Sequence, residues 1–63
     1  MNKKEKMIYW IKKLKRLPTS KIMALTGTNL EYTFKYLGEL EKEGKIERQD
    51  ETNASYWVLK INE

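Results

Sequence analysis

The chain has 63 residues, a net charge of +4, no cysteine and no histidine. This excludes disulfides, thiolate metal sites and thiol redox chemistry, and it removes the commonest general base and metal ligand. A chain this short builds one small domain, read as residues 1–63, with no room for an ordinary substrate cavity. The composition therefore argues against an enzyme and implies no cofactor.

No apolar run approaches the ~18 to 20 residues needed to cross a bilayer. The lysines near the N-terminus precede no apolar h-region, so neither a membrane span nor a signal peptide is expected. A chain without cysteine suits a reducing compartment, and the expected location is cytoplasmic. The charge is unevenly spread. Residues 1–17 carry seven basic side chains against Glu5, while residues 29–44 carry two lysines against four glutamates. Any anion-facing surface is expected at the N-terminal end.

The spacing predicts a first helix over residues 3–16. Met7, Ile8, Ile11 and Leu14 recur at helical spacing, with Trp10 and Leu17 widening the same face. Asn2 is its candidate N-cap and Glu5 sits in the first turn, where the helix dipole favours an acid. Pro18 stops it, and Leu17 before the proline is expected to be extended. Thr19 is the next candidate N-cap, for a helix over residues 20–26 that turns Ile22 and Leu25 inward. Gly27 suits the left-handed residue that ends a helix, and Asn29 caps a third helix two residues later. Two helices so closely joined cross steeply, as in a helix-turn-helix.

The third helix is read over about residues 30–43. Leu30, Thr33, Leu37 and Leu40 share its inner face, with Phe34 at the edge. Glu31, Tyr32, Lys35, Glu39 and Lys42 lie opposite. Gly44 ends it. The pattern then switches to period two: strands over residues 45–50 and 56–61 flank a polar tip. Trp57 and Leu59 are expected to lie on the helices, with Ile46 opposite them and Ile61 continuing the alternation.

Three helices followed by a two-stranded antiparallel hairpin define an α+β, mainly helical fold. The chain resembles bacterial and archaeal winged helix-turn-helix transcription regulators. The residues carrying this are Ile22 with Leu25-Thr26-Gly27, Asn29, Lys35-Tyr36-Leu37, Leu40 through Arg48, and Tyr56-Trp57-Val58-Leu59. The resemblance implies sequence-specific binding of double-stranded DNA, with the third helix in the major groove and the hairpin on the backbone or minor groove. It places Leu30, Glu31, Tyr32, Phe34 and Lys35 at the groove. Lys21, Arg48 and the first-helix lysines Lys12 and Lys13 would hold phosphates. The family usually has small, polar or basic residues where this chain has Leu30 and Phe34, and basic residues where its hairpin tip begins with Asp50-Glu51.

Each position has two readings. Glu31 accepts from a cytosine amino group, or merely complements the dipole. Tyr32 touches a base or phosphate, or is simply exposed. Lys35 faces phosphate or guanine, or is merely solvated. Leu30 and Phe34 either meet thymine methyls or extend the core or a protein interface, and the latter is the expected outcome. Two tryptophans are hard to enclose in so small a domain, so a homodimer sharing one of them is considered. Nothing suggests a small-molecule effector. The alternative function is a protein-interaction module anchored on Leu30, Tyr32 and Phe34.

Overall fold

The computed structural model describes residues 1–60. Along the chain these form α1 (Lys3–Leu14), β1 (Arg16–Pro18), α2 (Thr19–Thr26), α3 (Leu30–Lys42), β2 (Ile46–Asp50) and β3 (Ser55–Leu59). The result is an α+β domain of three helices and one antiparallel sheet in the order β1-β3-β2. The hairpin is thus part of a three-stranded sheet, one strand more than the sequence led us to expect.

Asn2 caps α1 as expected. Its side-chain oxygen accepts from the Glu5 N–H at 2.8 Å, and its own N–H donates to Glu5 Oε1 at 3.1 Å. The other end of α1 differs from expectation. The helix stops at Leu14, and Lys15 turns out of it with φ 76° and ψ −48°. The cause lies downstream. Leu17 is held extended by Pro18, and the extended segment pairs with β3 through Arg16↔Val58, Leu17↔Trp57 and Pro18↔Tyr56. Leu17 therefore enters the core from a strand, while Leu14 is left exposed.

Thr19 is not the cap of α2. Pro18 occupies the N-cap position with no side-chain bond. The Thr19 hydroxyl instead accepts from the Trp57 indole N–H at 2.9 Å. The far end of α2 follows the sequence closely. Gly27 is left-handed at φ 65°, and its N–H donates to the Met23 carbonyl. Asn29 Oδ1 then accepts from the Tyr32 N–H at 2.8 Å and opens α3. Gly27 and Asn29 thus separate the two helices by three residues.

The inner face of α3 is Thr33, Leu37 and Leu40, all buried. Leu30 is not among them. It is the first residue of α3 and lies off the arc those three define, and Phe34 lies further off it. The helix ends at Lys42, with Glu43 as its C-cap, and Gly44 turns the chain at φ 78° into β2. Ile46 pairs directly with Leu59, and Arg48 with Trp57. Glu51 and Ala54 bond each other around a two-residue tip, Thr52-Asn53. The expectation for Ile61 lies outside the described residues. The core joins Met7, Ile11, Leu17, Ile22, Leu37, Leu40, Ile46 and Trp57, with Trp10 packed against it only partly buried.

Two substitutions test this account of the α1–β1 junction. Lys15 is the one residue other than glycine with positive φ among the described residues, so Lys15→Gly relieves strain and should raise stability by roughly 0.5–1 kcal/mol. Leu17→Ala removes a buried strand side chain and should cost about 2–5 kcal/mol. Urea denaturation measures both. No loss in Leu17→Ala would mean that β1 does not contribute to the core.

Candidate functional site

The resemblance places five contact residues on α3, although the spacing turned Leu30 inward, and the fold leaves all five exposed. Leu30, Tyr32 and Phe34 are 54%, 48% and 50% exposed. Glu31 and Lys35 are exposed beside them. All five predicted contact residues thus lie together on the N-terminal half of one helix. Of the expectation that Leu30 and Phe34 extend the core or a protein interface, the core half fails, because the inner arc is already filled by Thr33, Leu37 and Leu40.

The buried polar groups close locally, so the turn between α2 and α3 is held without outside help. The Thr26 hydroxyl donates to the Ile22 carbonyl at 2.7 Å and lies 2.7 Å from Thr28 Oγ1. The Thr33 hydroxyl donates to the Asn29 carbonyl at 2.7 Å. Lys3 adds a longer-range tie, its Nζ donating to the Thr26 carbonyl at 2.7 Å. A cation there also complements the negative end of the α2 dipole.

On one flank of α3, Tyr32 stacks on Tyr36 with ring centroids 6.1 Å apart. Lys35 lies over Tyr32, its Nζ 5.8 Å from the ring centroid. On the other flank Leu30 and Phe34 stand one turn apart. Gly38 follows at the next turn with open space where a side chain would sit. Glycine inside a helix costs roughly 0.5–1 kcal/mol relative to alanine, and among the described residues nothing lies within 4 Å of where a Cβ would stand.

The predicted basic residues divide. Lys21 is exposed on α2. Arg48 is exposed on β2, its Nε 3.2 Å from Asp50 Oδ1. Lys12 and Lys13 are exposed on α1, but helical projection puts them on the arc opposite buried Met7 and Ile11. Because α1 packs its buried arc on α2, α3 and β3, that outer arc faces away from them. The two lysines are therefore not brought to the α3 surface.

Sequence reasoning counted Arg16 in the last turn of the first helix, where the structure has β1, and assigned no local role to Lys3 and Lys4. Arg16 sits over the Tyr56 ring at 4.2 Å and pairs with Glu51 at 2.9 Å, bracing the hairpin from β1. The restriction that Pro18 places on its predecessor was the available signal for this extended segment. Lys4 reaches Glu39 at 3.2 Å and Glu43 at 2.7 Å, joining α1 to the end of α3. The hydrogen bond with Glu43 holds Lys4 above the ordinary lysine range and Glu43 below the ordinary carboxylate range. Among the described residues, no helix is long and apolar enough to cross a membrane. No protein-family model and no curated protein matches the chain.

The Lys4–Glu43 pair gives a pH prediction. A lowered carboxylate pKa contributes stability above its unfolded value, lost as pH falls through the folded value; a raised lysine pKa contributes stability lost as pH rises through its folded value. The bridge thus supports the fold across the neutral range. Glu43→Gln should lower the thermal midpoint slightly at pH 7, with the difference vanishing below the carboxylate range. A difference that persists in acid would assign the loss to something other than the ion pair.

Proposed function

We propose that this chain is a minimal winged helix-turn-helix domain that binds double-stranded DNA and regulates transcription by occupying its site. The observation that carries the reading is the free outer surface of α3 in its setting. A three-residue turn fixes α3 against α2, and a braced hairpin follows directly. A helix held this way offers its N-terminal residues to the major groove.

In this reading Leu30 and Phe34 meet thymine methyls, which project into that groove. Glu31 accepts from a cytosine amino group. Lys35 reaches guanine or phosphate when it leaves Tyr32. Lys21 and Arg48 hold backbone phosphates on either side and set the register. Regulation comes from the protein's own concentration, from dimerisation or from a partner. A twofold dimer would read half-sites about one helical turn apart.

The test is a titration on random and selected duplexes at two salt concentrations. Binding that weakens with salt, and a sequence preference in the selected pool, are the expected results. Failure to bind at low salt would refute the proposal, and salt-sensitive binding with no preference would reduce it to non-specific coating.

The exposed Leu30 and Phe34 favour a second reading, a docking surface for another protein, because contiguous exposed apolar side chains often mark such contacts. The two separate at Phe34. If it reads DNA, replacing thymine by deoxyuridine in the selected duplex weakens wild-type binding several-fold, and Phe34→Ala removes that difference. If it anchors a protein, Phe34→Ala leaves DNA affinity unchanged and abolishes the protein complex.

A further inference from the structure

Part of the surplus positive charge lies on a different side of the molecule from the α3 contact surface. Lys3 and Lys4 are taken up by the α2 terminus and by the α3 glutamates. Arg16 is taken up by Glu51 and Tyr56. Lys6, Lys12 and Lys13 form no ion pair with an acid among the described residues. Helical projection sets them along the outer arc of α1, on both sides of Tyr9. Glu5, the one acid on that arc, is engaged in the cap of α1. Tyr9 is 43% exposed, braced edge-on against Trp10 at 5.1 Å, with Lys13 Nζ 5.8 Å from its ring centroid. The arc therefore presents three cations around a positioned aromatic ring, facing away from α3.

We propose that this outer face of α1 is a second binding surface, for the phosphate backbone of a nucleic-acid duplex, so that one chain holds two duplexes on opposite sides. The inference rests on the DNA-binding reading of α3. Charge complementarity selects the occupant: three lysines without an acidic partner meet a polymer carrying one negative charge per ~1.7 Å of axis. A lipid surface fits less well. An interfacial helix must insert its apolar face, and in α1 that face holds Met7 and Ile11 in the core. The molecule extends 29 × 23 × 21 Å along its principal axes; two duplexes held on opposite faces would be separated by more than the ~8 Å Debye length at physiological salt, so their repulsion would be largely screened.

The experiment uses the full chain with short duplexes of the selected sequence, half labelled with a donor fluorophore and half with an acceptor. Energy transfer on adding protein reports joining of duplexes, and sedimentation gives the chains per complex. Two duplexes on one chain are expected for the wild type. Lys12→Glu/Lys13→Glu should keep one-duplex affinity within about twofold and weaken capture of the second by about tenfold or more. Lys21→Glu/Lys35→Glu should weaken the first site and spare the second. A wild type that binds one duplex and never a second overturns the inference while leaving the DNA reading intact. Joined duplexes that contain two chains overturn it in favour of a dimer. Loss of the first site in Lys12→Glu/Lys13→Glu overturns it by placing both surfaces on one duplex. Binding to anionic vesicles that these two substitutions abolish, without second-duplex capture, reassigns the face to lipid and overturns it too. No duplex binding by any form would refute the α3 reading along with it.

Discussion

Trp57 fixes the relation between the sheet and the helices. It lies on β3, the strand with neighbours on both sides, opposite Leu17 of β1 and Arg48 of β2. Only 3% of its surface remains exposed. A tryptophan buried to this degree removes roughly 150–250 Å² from water, but it also carries an N–H that must be satisfied. Leaving that donor unpaired in the core would cost about 1–3 kcal/mol. The Thr19 hydroxyl meets it at 2.9 Å. Thr19 is also the first residue of α2, so one hydrogen bond sets where the helix pair begins relative to the sheet.

From that anchor the rest of the geometry follows in steps. Pro18 and Thr19 deliver α2 directly from β1. Eight residues later Gly27 reverses the chain at φ 65°, and Asn29 restarts it as α3. The threonines buried between these helices satisfy their hydroxyls on carbonyls of their own helix or its cap. No polar group is therefore left in this layer that needs a partner from the outer surface. The exposed side chains of α3 are free because the inner ones are complete.

The parts of this fold that were legible in the sequence are those set by local chemistry. Asn2 with Glu5, Gly27, Asn29 and Gly44 act where their side chains, or the lack of one, predict. The parts that were not legible depend on pairing between distant segments. Pro18 marks Leu17 as extended, but one extended residue after a helix does not by itself make Arg16-Leu17-Pro18 a strand. Its strand character comes from hydrogen bonds to β3, some forty residues away. The same pairing puts Leu17 in place of Leu14 in the core and draws Thr19 from capping to Trp57. On α3, periodicity grouped Leu30 with Leu37, but it could not show that the start of α3 stays uncovered. The candidate contact residues were found as a set through the resemblance, since helix spacing alone put Leu30 on the inner face, opposite Glu31, Tyr32 and Lys35. The position of Lys12 and Lys13 relative to that set was not, because it depends on how α1 packs.

The acidity of α3 looks different in space than along the chain. Counted in sequence, four glutamates against two lysines over residues 29–44 argue against contact with a polyanion. In the fold, Glu39 and Glu43 are both met by Lys4, and Glu43 also by Lys45 at 3.3 Å. The remaining acids, Glu31 and Glu41, are balanced by Lys35 and Lys42. The acidity counted over residues 29–44 is therefore largely cancelled, because Lys4 of α1 and Lys45 supply the two positive charges that stretch lacks. A near-neutral helix offering Leu30 and Phe34 cannot draw a duplex by long-range attraction. On the proposed DNA-binding reading, such a helix would discriminate by shape and methyl contact once other cations had brought the duplex in, the part that reading gives to Lys21 and Arg48.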